Sequence, residues 1–263
     1  LLKTYLDQTG EFVHLINAPV RIVSLVPSQT ELLSALGLDN EVVGITKFCV
    51  HPKQWYLSKT RIGGTKTPNI EKILRLKPDL ILANKEENNR EDILKLRQHF
   101  PVWVSDIHNL QDAIQMIHSV GLMTNKSLSA ESITKKIKLE RDRLKTEENQ
   151  DKPLRVCYLI WKKPYMSIGS DTFIHDMIAQ LGWQNVFEHK LRYPITDLEE
   201  IISLHPDRIL LSSEPYPFKE IDIAAFDPIH GLLVDGECFS WYGSRLTHSF
   251  SYFRNLKALI LSA

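Results

Sequence analysis

The stretch NIEKILRLKPDLIL, residues 69–82, returns as DLEEIISLHPDRIL at 197–210, with seven of the fourteen positions identical. The shared positions are Glu71/Glu199, Ile73/Ile201, Leu76/Leu204, Pro78/Pro206, Asp79/Asp207, Ile81/Ile209 and Leu82/Leu210. Each copy reads as one packing unit: a helix capped by Asn69 or Asp197, a proline that breaks it, and a buried strand. Glu71 and Glu199 fall in the first helical turn, where the helix dipole and exposure favour a charged carboxylate. Plain helix stabilisation accounts for such a residue, and so does a functional surface.

The flanking sequence extends the pattern. RIVSLVP (21–27) reads as a buried strand closed by Pro27, and SQTELLSALGL follows with Ser28 and Glu31 spaced as a capping box. Gly37 is placed to end that helix. EVVGIT (41–46) is a second strand, and a loop rich in Cys, His, Gly and Pro leads to the helix near Asn69. After DLILA (79–83) come a helix at 90–98, the strand PVWVSD (101–106) and a helix at 109–121. The second half repeats the order: strand RVCYLIW (155–161), a helix at 172–181 capped by Ser170 or Asp171 and stopped by Gly182, the echo helix 198–204 and strand DRILLS (207–212). A mostly helical segment, 240–261, closes the chain. Apolar strands alternating with helices predict parallel sheets covered on both faces.

Between the halves, SLSAESITKKIKLERDRLKTEENQ (127–150) has no Gly or Pro and carries a sparse stripe of Ile133, Ile137 and Leu144. It reads as one long, largely solvated helix, about 30 Å if about 20 residues are helical. Such a helix ties one lobe to the other, or lies on the surface of one of them. The expected architecture is therefore α/β: two similar parallel-sheet α/β lobes, 1–123 and 151–263, joined by one long rigid helix within 124–150, with a ligand cleft between the lobes. Such a tie permits only modest closure, so the cleft is expected to be largely preformed.

Composition bounds the function classes. The 263 residues carry 32 Lys+Arg against 32 Asp+Glu, so no net field favours nucleic acid or an anionic membrane. No apolar run approaches a membrane span, and no direct membrane insertion is expected. LLKTYLDQTGEFVHL lacks a signal-peptide pattern, and because the sequence starts on Leu1 a removed leader or lipid anchor stays open. Three scattered cysteines, Cys49, Cys157 and Cys238, make no disulfide framework, and no CxxC or HExxH pattern marks a structural zinc site.

RIVSLVPSQTELLSALG (21–37), the two Pro-Asp helix–strand units and DGECFSWYGSRL (235–246), in this order around a long helix, resemble the helical-backbone periplasmic binding proteins. That family includes the vitamin B12 and iron–siderophore receptors of ABC importers, and the resemblance covers roughly residues 20–260. It implies a monomeric, non-enzymatic receptor with no intrinsic cofactor, placed in the periplasm, that hands a small-molecule metal chelate to an ABC transporter permease. In B12 receptors one glutamate on each lobe docks into arginine pockets of the permease. The matching positions are Glu71 and Glu199, each seven residues before its proline, with Glu200 adjacent.

A large flat ligand calls for aromatic platforms and a few polar anchors at loops following strands. TKFCVHPKQW (46–55) supplies Phe48, Cys49, His51 and Trp55, and Phe48 matches an aromatic ligand contact of the B12 receptors. WKKPYM (161–166) supplies Trp161 and Tyr165, and RYPITD (192–197) supplies Tyr193, at a position held by a ligand-facing Trp. The late motif supplies Trp241, Tyr242 and Arg245. Each has a plainer alternative. Trp55 covers its loop, Trp241 and Tyr242 pack the final helix, and Arg245 caps a helix or pairs with a carboxylate. Thr65 stands where a second B12-facing Trp would be, beside Lys66, which is either an anchor for a carboxylate or phosphate or a solvated lysine. Cys49 and His51 form a Cys-x-His pair able to meet a metal, His51 foremost, or else a buried thiol beside a loop histidine. The ligand expected is a cobalamin or ferric siderophore. The alternatives are a bare Zn²⁺ or Mn²⁺ receptor of similar architecture and a cytoplasmic enzyme or sensor reusing the fold.

Overall fold

A computed structural model describes residues 2–146 and 152–262. Of the segment read as a connecting helix, residues 147–150 lie outside the described residues. The strands are β1 (Lys3–Leu6), β2 (Phe12–Leu15), β3 (Ile22–Ser24), β4 (Val42–Ile45), β5 (Thr60–Arg61), β6 (Leu80–Asn84) and β7 (Val102–Ser105). Then come β8 (Arg155–Leu159), β9 (Tyr165–Met166), β10 (Gln184–Asn185), β11 (Ile195–Thr196), β12 (Arg208–Ser212) and β13 (Gly231–Val234). The helices are α1 (Pro27–Ala35), α2 (Lys53–Ser58), α3 (Ile70–Leu76), α4 (Arg90–Arg97), α5 (Leu110–Met123) and α6 (Ser127–Thr146). They continue as α7 (Phe173–Gln180), α8 (Leu198–Ser203), α9 (Glu220–Ile223), α10 (Gly236–Ser240) and α11 (Leu246–Ser262).

Two parallel sheets organise the chain, in the orders β5-β4-β3-β6-β7 and β10-β8-β12-β13. In each, the chain winds outward on one side of its first strand and then returns to the other side. The order reverses at the pairs β3/β6 and β8/β12. The inner strands are buried along their length, as continuous apolar runs covered on both faces require. A β1–β2 hairpin and a small β9–β11 sheet, both antiparallel, were not legible in the sequence.

Contacts divide the chain into two compact units. The first holds Leu1–Asp106, Gln111–Lys135 and Tyr242–Arg245; the second holds Ile107–Leu110, Lys136–Trp241 and Leu246–Ala263. The division at Lys135/Lys136 falls inside α6, so this helix contributes to both units. It buries Ala130, Thr134, Ile137 and Leu144 at helical spacing. It also buries Glu140, whose carboxylate accepts from Arg254 at 2.8 Å and Arg143 at 2.6 Å. The bond from Arg254, with Arg143 beside it, holds that carboxyl below its usual range. Shorter exchanges accompany the helix. The Leu110 N–H is capped by Asp176 at 2.8 Å within the second unit. Tyr242–Arg245 counts with the first, where Gly243 lies so close to α1 that a Cβ would stand 2.9 Å from the Ser28 carbonyl oxygen.

The doubled stretch acquires a mechanism here. Both helices are capped as expected, the Asn69 and Asp197 side chains accepting from the N–H of Lys72 and Glu200. Lys77 and His205 then turn left-handed at φ 45° and 49°, ahead of the prolines. Asp79 accepts from the backbone N–H groups of Val20 (2.9 Å) and Arg21 (2.8 Å), and its own N–H donates to the Arg21 carbonyl. Asp207 accepts from the Arg155 N–H at 2.8 Å and likewise donates back. The arginines complete the unit: Arg21 donates to Leu76 O, and Arg155 to Leu204 O and His205 O, satisfying the last carbonyls of α3 and α8.

One local expectation fails. Pro27 does not close a strand but starts α1, because a ring with no N–H suits the first helical turn. Ser28 therefore lies inside the helix, buried with its Oγ unpartnered, and makes no capping box. Replacing Asp79 or Asp207 by Ala should cost about 1–2 kcal/mol through orphaned backbone donors, whereas Asn, which keeps an acceptor oxygen, should cost less. Urea melts with amide exchange at Arg21 and Arg155 measure this; equal losses for Ala and Asn would contradict it.

Candidate functional site

The residues singled out in the first unit divide sharply by burial. Cys49 is fully buried within 3.1 Å of the hydroxyls of Thr30 and Thr46, and burial pushes its thiol up, so it stays a neutral packing group. These contacts fit the buried-thiol alternative, and His51 beside it is half-buried. Trp55 is 2% exposed and its indole donates to Asp39 at 2.7 Å, so it covers its loop instead of facing a ligand. Phe48 is different: it is 51% exposed, with the Lys47 ammonium 5.0 Å from its ring centroid. Its loop is set against the turn Gly63–Asn69. Gly63, at φ +100° with a Cβ position only 2.6 Å from the Thr67 carbonyl oxygen, admits no other side chain. Asn88 and Asn89 donate to the carbonyls of Thr65 (3.0 Å) and Lys66 (2.6 Å), pinning this turn. The Lys66 side chain is exposed and its ammonium donates to the Glu86 carbonyl. Arg245 is held by a two-bond ion pair to Glu31 at 2.7 and 3.0 Å. This is the carboxylate-pairing alternative, and it takes the Glu31 that the capping box required.

In the second unit the chain leaves β8 into a hairpin. Trp161, 40% exposed, meets Tyr216 edge to face with ring centroids 5.8 Å apart, and Tyr216 meets Phe218 in the same way at 4.8 Å. Tyr165 turns inward onto Phe226 at 5.4 Å and joins the apolar core. Pairing of β9 with β11, and the Ser167 N–H bond to Pro194 O, bring the Tyr193 loop beside this hairpin. Tyr193 is half-buried with the Arg192 guanidinium 5.6 Å from its ring. Trp241 and Tyr242 are buried. The Trp241 indole donates to Glu214 at 2.9 Å, and the Ser240 hydroxyl donates to the same oxygen at 2.6 Å. Burial raises the Glu214 carboxyl above its usual range, and Glu237 and Asp235 add to the effect. Sequence reasoning missed Glu214 and Tyr216, both in SSEPYPF; it also missed Lys47 and Arg192, each directly preceding an aromatic it did select.

Glu71 and Glu199 are exposed in the first turns of α3 and α8. Among the described residues Glu71 has only a loose contact with Arg75, 3.5 Å away. Glu200 is occupied: it accepts from Lys190 and, at 2.7 Å, from Thr196, and the bond from Lys190 holds its carboxyl below the usual range. Among the described residues no three His, Cys, Asp or Glu side chains stand together to hold a metal ion, and no helix is long and apolar enough to cross a membrane.

Residues 22–225 match the model of the family described as periplasmic binding protein. The chain belongs to that family. Its members are solute-binding proteins and not enzymes. This periplasmic binding protein is 28% identical over 194 residues to a vitamin B12-binding protein of Vibrio cholerae, covering 73% of this chain and 70% of the other. It is 26% identical over 212 residues to an uncharacterized ABC transporter substrate-binding lipoprotein, YvrC, of Bacillus subtilis, covering 78% and 67%. Its fold is shared with the periplasmic vitamin B12 binding protein BtuF of Vibrio cholerae, at TM-score 0.77 and 22% identity over 91% of this chain and 98% of that one. The periplasmic heme binding protein HutB of Vibrio cholerae is as similar in fold, at TM-score 0.77 and 21% identity over 92% and 98%.

The Glu214 contacts give the binding protein a signed pH dependence. A carboxyl whose folded pKa lies above its unfolded value holds more protons when folded, so its charge destabilises as pH rises through that window and the penalty is relieved below it. Glu214→Gln keeps an acceptor without the charge and should raise the melting temperature at neutral pH. Glu214→Ala orphans two donors and should cost about 1–3 kcal/mol. Thermal melts at acid and neutral pH compare them; a Gln variant less stable than Ala would refute this account.

Proposed function

We propose that this binding protein is the substrate-binding component of an ABC importer and carries a metal-containing chelate, a cobalamin, haem or ferric siderophore. The observation that carries the reading is an aromatic side chain on an accessible loop in each unit: Phe48 following β4, and Tyr193 beside the Trp161 hairpin that follows β8. Loops at the carboxyl ends of parallel strands are where open α/β sheets receive ligands, and flat aromatic faces suit flat chelates. The printed names of the relatives, vitamin B12-binding and heme-binding, support the same ligand class. Thr65, in place of a second aromatic in the first unit, weighs against a strict copy of a cobalamin site.

The protein then works outside the cytoplasm, as periplasmic and lipoprotein relatives do. The helix α6 serves as the backbone of this architecture, and Glu71 and Glu199 are the points that dock on the permease. Binding and release are the whole of its chemistry.

Tryptophan quenching should report binding, with Trp161 as the chief reporter. Titration with cyanocobalamin, haemin and a set of ferric siderophores should give saturable quenching by at least one of them, and Trp161→Phe should lose most of the signal. If none binds while a nucleotide or simple metabolite does, the proposal falls. The docking assignment has its own check. The double variant Glu71→Ala/Glu199→Ala should bind ligand normally yet lose about tenfold or more in stimulating the permease ATPase; undiminished stimulation would remove the docking role.

A further inference from the structure

Two matched contacts bear on the charge of the ligand. In the first unit the Lys47 ammonium stands 5.0 Å from the centroid of the Phe48 ring. In the second, the Arg192 guanidinium stands 5.6 Å from that of Tyr193. Each cation immediately precedes the ring it covers. A ring face attracts a cation within about 6 Å, so both aromatic platforms already carry positive charge.

The two contacts are not equal. Lys47 is exposed, and among the described residues no carboxylate lies within ion-pairing distance of it. Its N–H donates to Gly63 O at 2.8 Å, which fixes its backbone. Gly64 gives room for both side chains: a Cβ there would meet the Phe48 ring edge at 3.3 Å and the Lys47 Cε at 3.6 Å. Arg192 is shared. Its guanidinium is 3.6 Å from Asp171, whose other oxygen accepts the Arg192 backbone N–H at 2.5 Å. Asp171 thus positions Arg192 over the ring and offsets part of its field.

We propose that Lys47 on Phe48, seconded by Arg192 on Tyr193, selects a chelate with an anionic, carboxylate-like rim over neutral or cationic chelates of similar size. This rests on the chelate-binding reading above. An anionic group of a ligand that reaches the exposed Lys47 ammonium forms a charge-assisted hydrogen bond with it, and a cationic group is repelled.

The test is a quenching titration at low and high salt of the wild type, Lys47→Gln, Lys47→Arg and Arg192→Gln. The probes are haemin, which bears two carboxylates, haemin dimethyl ester, an anionic ferric tris-catecholate, neutral cyanocobalamin and cationic ferrioxamine B. An anionic probe should bind best, and haemin should bind more tightly than its ester. Lys47→Gln should weaken the anionic probe about two- to fivefold and flatten its salt dependence, leaving the ester unchanged. Lys47→Arg should restore it, and Arg192→Gln should act in the same sense but less. A best ligand that is neutral or cationic, or a Lys47→Gln variant that weakens haemin and ester alike, overturns the selectivity while the chelate reading stands. If no probe binds, the chelate reading itself fails and the selectivity goes with it.

Discussion

Asp79 and Asp207 each hold the central strand pair of their own sheet in register. Each sits at the start of the second strand of a central pair, donates its N–H to the carbonyl of an arginine, Arg21 or Arg155, that starts the first, and accepts that arginine's N–H on its carboxylate. The carboxylate fixes the arginine's backbone, and the guanidinium reaches back to the carbonyls at the end of the helix preceding the aspartate. One contact therefore joins helix, turn and both strands. It lies at the pairs β3/β6 and β8/β12, where the winding of each sheet reverses. At the opposite, carboxyl ends, β8 opens into the Trp161 hairpin, and the loop after β6 carries Asn88, which holds the turn beside Phe48.

The two units then stiffen those ends differently. The first uses amides. Gln29 donates to Ser105 and Ala83, Asn84 accepts from the N–H groups of Glu86 and Glu87, and Asn88 reaches the Thr65 carbonyl. Such a network orders loops without apolar bulk, and Phe48 projects from its loop half exposed. The second unit uses rings and one carboxylate: Trp161 on Tyr216 on Phe218, and Glu214 gathering Ser240 and Trp241. Its exposed tryptophan is thereby backed by a chain of edge-to-face contacts rooted in the core cluster that contains Phe218.

What the sequence made legible follows from the range of each interaction. Caps at Asn69 and Asp197, the proline breaks and the buried strands are local, and period and turn chemistry reveal them. The partner of Asp79 lies 58 positions away and that of Glu31 lies 214 away, so neither could be paired by pattern. Glu31 shows the cost: its spacing from Ser28 imitates a capping box, but Pro27 already starts the helix and Arg245 claims the carboxylate. Aromatic candidates fared unevenly for a similar reason. Residue type marks Trp55, Phe48 and Trp241 alike, while burial, a tertiary property, turns Trp55 and Trp241 to Asp39 and Glu214 and leaves Phe48 outside.

The repeated glutamates resist a purely local account. Capping at both helices is already supplied by Asn69 and Asp197, whose side chains accept the free N–H groups. The Glu71–Arg75 contact joins two highly exposed side chains, with 81% and 79% of their surface open, and such pairs contribute little to stability. In the second copy the division of labour is plainer. Glu200 takes the structural role, tied to Lys190 and Thr196, while Glu199 is exposed and has no partner among the described residues. A fold that already has its acid in place gains little from a second one beside it. An acidic group kept at the same turn of both units, and used by neither for packing, supports a role directed outward, toward a partner that carries the complementary charge.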